Sequence, residues 1–85
     1  MQITYSTKFE KQYRKLSNAI KNFAEEKEAI FKNDPFDIRL KTHKLSGKFK
    51  KYLAFSVNNS YRIIFTFEDS EHVRFHNIGN HDIYD

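Results

Sequence analysis

Four side chains of this sequence have the chemistry to act on a phosphodiester: His43, Arg62, His81 and Tyr84. Histidine suits proton transfer because its unperturbed pKa of about 6.5 lies near neutrality. Arginine presents a planar fork of donors that fits a phosphate, and tyrosine can stack on a base or donate a proton. If the attacking group is the 2′-OH of RNA, the protein supplies only proton transfer and a cation for the charge of the phosphorane.

Each of the four residues also has an ordinary structural alternative. His43 could belong to a solvated loop, and Arg62 could be a salt-bridge partner. His81 could make a capping contact near the C-terminus, and Tyr84 could be a packing residue. Their joint placement around one basic sheet face favours the chemical interpretation over the four structural ones.

The candidate residues lie in or beside a basic segment, residues 39–67, that contains no carboxylate. Seven of the chain's 15 Lys and Arg residues fall there. The rest of the chain contains the other eight together with all 11 Asp and Glu residues. Clustered cations bind polyanions because they release condensed counterions from phosphates, although a solvated charged face has the same composition. Besides Arg62, the segment offers as RNA-binding candidates Arg39, Lys41, Lys44, Lys48, Lys50 and Lys51.

Composition excludes several other kinds of site. There is no cysteine, so disulfides and thiolate metal sites are ruled out, and two isolated glycines cannot form a phosphate-binding loop. His72 and His76 lie about 13 Å apart if both are on one strand, too far to chelate one ion, and we interpret them as exposed strand residues. We therefore expect no metal and no cofactor. No apolar run suits a signal peptide or a membrane span, so we expect a cytoplasmic protein without membrane contact.

The N-terminal half is predicted to be a strand followed by a helical hairpin. Residues 2–5 form a strand candidate, and Thr7 with Glu10 fits a capping box. Apolar residues then recur at helical spacing through two segments, with Ser17 or Asn18 ending the first helix and capping the second. The second helix should end at residues 33–35, because a residue before proline is pushed out of the helical region.

The C-terminal half is predicted to be a three-stranded antiparallel meander. After an irregular connection over residues 35–44 and a turn at Ser46-Gly47, the apolar period changes to two. Asn58-Asn59 is expected to form a tight turn because asparagine tolerates positive φ. We predict one domain over residues 1–85 of the α+β class, in which an N-terminal strand and a two-helix hairpin pack on a twisted antiparallel sheet. The other sheet face remains for solvent or a ligand.

The order of elements and several motifs resemble the RelE/ParE superfamily of type II toxins, and most closely its RelE/YafQ-like mRNA interferases. The resemblance covers the segments TKFEKQYRKL, HKLSGKFKKYLAFSV, SYRIIFTF and IGNHDIYD. It implies the RelE-like fold and a ribosome-dependent mRNA endonuclease that uses metal-independent attack of the 2′-OH. It also implies that His43 and His81 transfer protons, that Arg62 lies near the scissile phosphate, and that Tyr84 contacts the mRNA. The lysines would hold RNA backbone.

The resemblance also implies partners, and it leaves alternatives open. A toxin of this class has a cognate antitoxin and acts on the ribosome and mRNA, and it would bind operator DNA only as a toxin–antitoxin complex. Ser56 and Ser60 stand where YafQ-like relatives have a histidine and an acid. Two alternatives are a ParE-like toxin that inhibits DNA gyrase without catalysis, and a non-toxic nucleic-acid-binding module.

Overall fold

Two helices cover one face of a five-stranded sheet in this computed structural model, which describes residues 1–80. The sheet has the strand order β1-β5-β4-β3-β2. Two 3₁₀ turns, Ile38–Leu40 and Gly47–Phe49, interrupt the connection between the helices and the meander. In chain order, the main elements are β1 (Gln2–Tyr5), α1 (Thr7–Arg14), α2 (Asn18–Asn33), β2 (His43–Lys44), β3 (Leu53–Ser56), β4 (Arg62–Asp69) and β5 (His72–Gly79).

This architecture confirms the predicted α+β class, with two differences in the sheet. Strand β1 pairs with β5 in parallel, from Gln2 opposite His72 to Tyr5 opposite Phe75, so the sheet is mixed and not purely antiparallel. The two-residue edge strand β2 forms the last two residues of the connection predicted to be irregular, and it pairs antiparallel with β3. A strand this short has too few residues to reveal a period in the sequence.

The helix boundaries follow from local hydrogen bonds. Ser6 is the N-cap of α1, since its hydroxyl accepts the backbone N–H of Phe9 at 2.9 Å. The predicted capping box at Thr7 is therefore wrong by one residue. Ser17 caps α2 as predicted, and this helix ends at Asn33, directly before Asp34-Pro35.

The core between helices and sheet is built from aromatic rings. Phe31 of α2 is fully buried, and its ring centroid lies 4.8 Å from Phe55, 4.9 Å from Phe65 and 5.4 Å from Phe75. Large rings bury much apolar area per residue, which lets a short chain form a core. The second face of the sheet, which we call the open face, is not covered by a helical layer among residues 1–80, although the N-terminal turn of α1 borders it.

A β-bulge in β5 changes which side chains reach this open face. Ile64 pairs with Asn77, but the next residue, Phe65, pairs with Phe75, so His76 is an extra residue without its own partner. As a result Phe75 and Ile78 are both buried. His76 and Asn77, which lie between them, both line a cavity with Ile64 on the open face. Bulges commonly redirect side chains in this way beside functional sites.

The hairpin between β3 and β4 is stabilised by a side chain and not by left-handed backbone. The Asn58 side-chain oxygen accepts the backbone N–H groups of Ser60 at 2.9 Å and Tyr61 at 2.8 Å. Within residues 1–80 the one non-glycine residue with positive φ is Lys41, so the expected positive φ at Asn58-Asn59 is wrong. An asparagine that bonds to the backbone two residues ahead makes the turn by itself. None of the helices in the described range is long and apolar enough to cross a bilayer.

Candidate functional site

The strand register brings His43 and Arg62 to the same open face. Directly paired residues point their side chains to the same side of a sheet, so each row of partners shares a face. One row crosses four strands and consists of His43, Ala54, Ile64 and Asn77. The next row consists of Ser56, Arg62 and Gly79.

His43 is exposed on the edge strand β2, and its ring is oriented by one hydrogen bond. Its Nδ1 lies 2.9 Å from the backbone carbonyl of Lys41. A carbonyl oxygen only accepts, so Nδ1 carries the proton and, in the neutral ring, Nε2 has a free lone pair. The left-handed backbone at Lys41 (φ 53°) turns the chain so that this carbonyl meets the ring. The arrangement leaves Nε2 able to accept a proton from a substrate.

Arg62 begins the central strand β4 and is half-buried, and its Nη1 is buried with no hydrogen-bond partner in the described part of the chain. The structural alternative for Arg62, a salt bridge, is not found within residues 1–80, where the ion pair present joins Asp37 and Arg39. A guanidinium without a carboxylate is a strong donor for a phosphate. Arg62 therefore has a buried donor on this face that no hydrogen bond or described carboxylate satisfies.

His43 and Arg62 are neighbours in the site but do not touch. Two strand spacings of about 4.8 Å and two residue steps of about 3.3 Å separate their Cα atoms, which gives roughly 12 Å. The side chains can span such a gap from opposite sides of one nucleotide. His81 and Tyr84 lie outside the described residues, so the other half of the predicted set remains a prediction.

The lysines of the basic segment are exposed and have no carboxylate partner among residues 1–80. They are Lys41, Lys44, Lys48, Lys50 and Lys51. Arg39 differs, because its guanidinium donates to both carboxylate oxygens of Asp37, at 3.0 and 2.9 Å. This contact lowers the pKa of Asp37 to about 2 and raises that of Arg39. The charge of Arg39 is thus already compensated by Asp37.

The basic loop, residues 43–51, folds back toward the open face after a glycine turn. Gly47 adopts φ +64°, a backbone conformation that favours glycine, at the start of the second 3₁₀ turn. The backbone N–H of Leu45 then donates to the carbonyl of Tyr52 at 3.0 Å, which closes the loop onto β3. Tyr52 packs against His76, with the two ring centroids 5.2 Å apart and perpendicular.

His76 was predicted to be an exposed strand residue, and this prediction is wrong. Its Nε2 lies 2.7 Å from the Thr66 hydroxyl, which in turn donates to the carboxylate of Glu68 at 3.0 Å. Burial lowers the pKa of His76, while Glu68 opposes the shift. The ring is thus favoured in its neutral form and held in one orientation.

The sequence contains a signal for this environment. Apolar residues Val73, Phe75 and Ile78 are spaced by two and then by three, and that break in period is typical of a bulge.

His72 is also half-buried, with Nε2 3.2 Å from the Thr4 hydroxyl across the parallel β1–β5 pair. Neither contact could be predicted without knowing which strand lies beside β5.

The two serines that depart from the family pattern occupy different positions. Ser56 is the direct partner of Arg62 on β3, so its hydroxyl lies on the face where chemistry is expected. Ser60 is in the β3–β4 turn, with its backbone N–H bonded to Asn58. Of the two, Ser56 is the one beside the candidate guanidinium. No cluster of three or more metal-ligating side chains occurs in residues 1–80.

Solved structures of bacterial and archaeal toxins share this fold. YafQ from E. coli strain BL21(DE3) superposes with a TM-score of 0.80 at 21% identity, covering 98% of this chain and 96% of YafQ. The YoeB/ParE toxin from Agrobacterium tumefaciens has a TM-score of 0.81 at 14% identity, covering 95% and 99% of the two chains. In the RelB–RelE antitoxin–toxin complex from Methanococcus jannaschii the TM-score is 0.74 at 17% identity, covering 95% and 94%.

Sequence comparison extends this likeness from fold to family. No curated protein sequence matches the chain. Residues 1–84, however, match the family model of YafQ, a bacterial toxin of type II toxin–antitoxin systems. The match confirms the resemblance drawn from the motifs, and it spans nearly the whole sequence. The chain therefore belongs to the YafQ family of type II toxin–antitoxin toxins.

Proposed function

We propose that this toxin is a ribosome-dependent mRNA endonuclease that cuts RNA by metal-independent acid–base catalysis. The proposal is supported by the half-buried Arg62, whose Nη1 has no hydrogen-bond partner in the described range, on the same sheet face as His43, whose contact with the Lys41 carbonyl through Nδ1 leaves Nε2 free. An RNA phosphodiester meets the needs of both groups, because it supplies an anion for the guanidinium and a 2′-OH for the imidazole. The five exposed lysines supply sites for neighbouring phosphates.

In the proposed reaction His43 accepts the proton of the 2′-OH through Nε2. The 2′-oxygen forms a bond to the adjacent phosphorus, and the bond from phosphorus to the 5′-oxygen breaks. Arg62 donates to the phosphorane oxygens, where negative charge increases most. His81 protonates the leaving 5′-oxygen, and Tyr84 stacks on a base, both as the family resemblance implies. The products are a 2′,3′-cyclic phosphate and a 5′-OH.

The proposal requires a cognate antitoxin that blocks the basic face. The structure of the M. jannaschii relative is that of an antitoxin–toxin complex. We propose that the antitoxin is an acidic, partly disordered segment that folds over the basic loop or adds to the sheet. Because its binding would depend on charge, its affinity should fall markedly with salt, and an insensitive interaction would locate it elsewhere.

The direct test is inducible expression of the full chain in bacterial cells, followed by mapping of mRNA 5′ ends. We expect growth arrest with new 5′ ends inside translated messages. The double variant His43→Gln with His81→Ala should abolish the new ends. His72→Gln is the matched control, since His72 lies on the same sheet but bonds to Thr4.

Three outcomes would contradict the proposal. Growth arrest with intact messages and accumulated DNA breaks would point to gyrase, the ParE-like alternative. Cleavage that survives loss of both histidines would remove the acid–base mechanism. Harmless high-level expression would favour a non-toxic nucleic-acid-binding module.

A further inference from the structure

A cavity of about 260 Å³ opens on the open face, beside the bulge of β5. This volume lies below the roughly 300 Å³ at which pockets for drug-sized ligands begin, so it suits a single ring. The cavity lies between the basic loop, the N-terminal turn of α1 and strands β4 and β5. Its main lining residues are Lys8, Phe49, Tyr52, Ile64, His76 and Asn77.

The floor and walls of this cavity are apolar and aromatic. Ile64, which is fully buried, lies at the base of the cavity. Phe49 and Tyr52 meet at a centroid distance of 6.4 Å and an angle of 67°, and Tyr52 meets His76 edge-on. Aromatic rings of this kind accept a planar base by stacking or edge contact, whatever its sequence.

Among the polar groups of the cavity, which include the donor Lys8 and the hydroxyls of Ser6 and Tyr52, one acceptor has no donor. The Oδ1 of Asn77 is buried and has no hydrogen-bond partner in the described range. A buried acceptor without a donor costs folding free energy, so it calls for a ligand or a functional reason. The bulge creates this situation, because an unbroken period would turn Asn77 toward the core and away from Ile64.

The hydrogen bonds of His76 identify it as a second acceptor. The Thr66 hydroxyl has one proton, which it donates to Glu68, a carboxylate that can only accept. The 2.7 Å contact between Thr66 and His76 Nε2 must therefore be a donation from Nε2. In the neutral ring, which burial favours, Nδ1 is left as an acceptor.

We propose that this cavity binds one unpaired nucleobase of RNA, with preference for a base that carries an exocyclic amino group. Adenine, cytosine and guanine present such a group as a donor, and uracil does not. The proposal rests on the proposed endonuclease function, whose substrate it specifies further. Asn77 and His76 would then be specificity-determining residues, and Tyr52 would be the aromatic contact.

The charges around the cavity favour RNA over a side chain of a partner protein. Lys8 lines the cavity. The Nζ of Lys48 lies 5.2 Å from the centroid of the Phe49 ring. No carboxylate is among the lining residues described. A base inserted here would have its flanking phosphates near these ammonium groups, which bind phosphate as point charges.

The experiment measures RNA binding without cleavage. The full-length protein is titrated into labelled 2′-O-methyl RNA of uniform sequence, either oligo(A), oligo(C) or oligo(U), and fluorescence anisotropy is recorded. Methylation blocks the 2′-OH, so affinity is independent of catalysis. We expect oligo(A) and oligo(C) to bind on the order of tenfold more tightly than oligo(U), as one discriminating base contact would give.

Two variants and one control locate this preference. Asn77→Ala should bring the three affinities to within about twofold of each other. Tyr52→Leu should weaken all three by on the order of tenfold, since stacking does not depend on sequence. Asn59→Ala, in the exposed β3–β4 turn, should change nothing. Thermal melts confirm that each variant is folded before its binding is compared.

The outcomes separate this proposal from the endonuclease proposal. Equal binding of all three RNAs by the wild type, or a preference that survives Asn77→Ala, would overturn the base pocket. Loss of antitoxin binding in the pocket variants, with RNA preference intact, would assign the cavity to a protein side chain and also overturn it. A base preference that depends on Asn77, together with intact mRNA in cells, would uphold the pocket and remove the endonuclease. Cellular cleavage without any base preference would uphold the endonuclease and remove the base pocket.

Discussion

Replacing Arg62 by methionine should stabilise the free protein while removing its activity. Methionine keeps a long unbranched stem but has no charge and no N–H donors. The Nη1 of Arg62 is buried without a partner in residues 1–80, and an unsatisfied buried donor costs about 1–3 kcal/mol. Removing that donor should recover part of this cost. For a domain of this size, each 1 kcal/mol corresponds to about 4–8 °C in melting temperature.

We therefore expect Arg62→Met to melt about 4–8 °C higher than the wild type if about 1 kcal/mol is recovered. Its rate of mRNA cleavage on ribosomes should fall by about 10²–10³, the usual cost of removing one donor to a transition-state oxyanion. Circular dichroism melts give the first quantity, and primer extension on an in vitro translation reaction gives the second. Both are measured on the same preparation.

Arg74→Met is the matched control for this substitution. Arg74 is also half-buried on β5, but its Nη1 donates to the Thr4 hydroxyl at 3.2 Å. Its loss should lower stability by about 0.5–1.5 kcal/mol and leave cleavage intact. If Arg62→Met melts below the wild type as the control does, its guanidinium stabilises the fold and our reasoning is refuted. Undiminished cleavage would likewise show that Arg62 does not meet the phosphate.

Three further predictions concern the core, pH and salt. Phe31→Ala should lower the free energy of unfolding, measured by chemical denaturation, by about 3–5 kcal/mol, because three buried rings contact Phe31. A decrease below about 1 kcal/mol would contradict the packing described. The pKa of His76 is lowered in the folded state, so the unfolded state binds more protons below about pH 6.5, and stability should fall as pH decreases through that value. Melts from about pH 5 to 7.5 should show a shallower decline in His76→Gln, and an unchanged slope would argue against this assignment. Neutralising the lysines of the basic loop should make the affinity for single-stranded RNA less dependent on salt. The slope of log affinity against log salt should become shallower by about 0.7 for each phosphate that is no longer neutralised. Lys27→Ala on α2 is the control, and an unchanged slope in the loop variants would exclude the loop as the RNA-binding surface. These lysines are Lys44, Lys48, Lys50 and Lys51.

The elements that sequence reasoning predicted well are those with a local cause. Both helices have apolar residues at helical spacing, and Ser17 and Pro35 set boundaries through bonds and sterics within a few residues. The alternation from Leu53 to Phe67 likewise predicts strands whose partners are adjacent in the chain. In these segments the pattern and the fold depend on the same short-range geometry.

The features that were missed depend on residues far apart in the chain. The parallel pairing of β1 joins Tyr5 to Phe75, and nothing near Tyr5 reveals that partner. The bulge at His76 arises from the register between β4 and β5, so only the spacing of Phe75 and Ile78 indicated it. Arg62 was predicted as a phosphate contact from its residue type and a family motif. That its Nη1 lacks a partner could be learned only from the assembled sheet.

The pairing of the first strand with the last has a consequence for how the protein is made. Residues 2–5 have their backbone partners at residues 72–75, and β5 itself lies between β1 and β4. While a ribosome synthesises the chain, β1 stays unpaired until β5 has left the exit tunnel. The open face, which needs β4 and β5 side by side, is therefore completed only once β5 has emerged. Arg62 and the bulge therefore cannot be presented together to any RNA while β5 is still inside the ribosome.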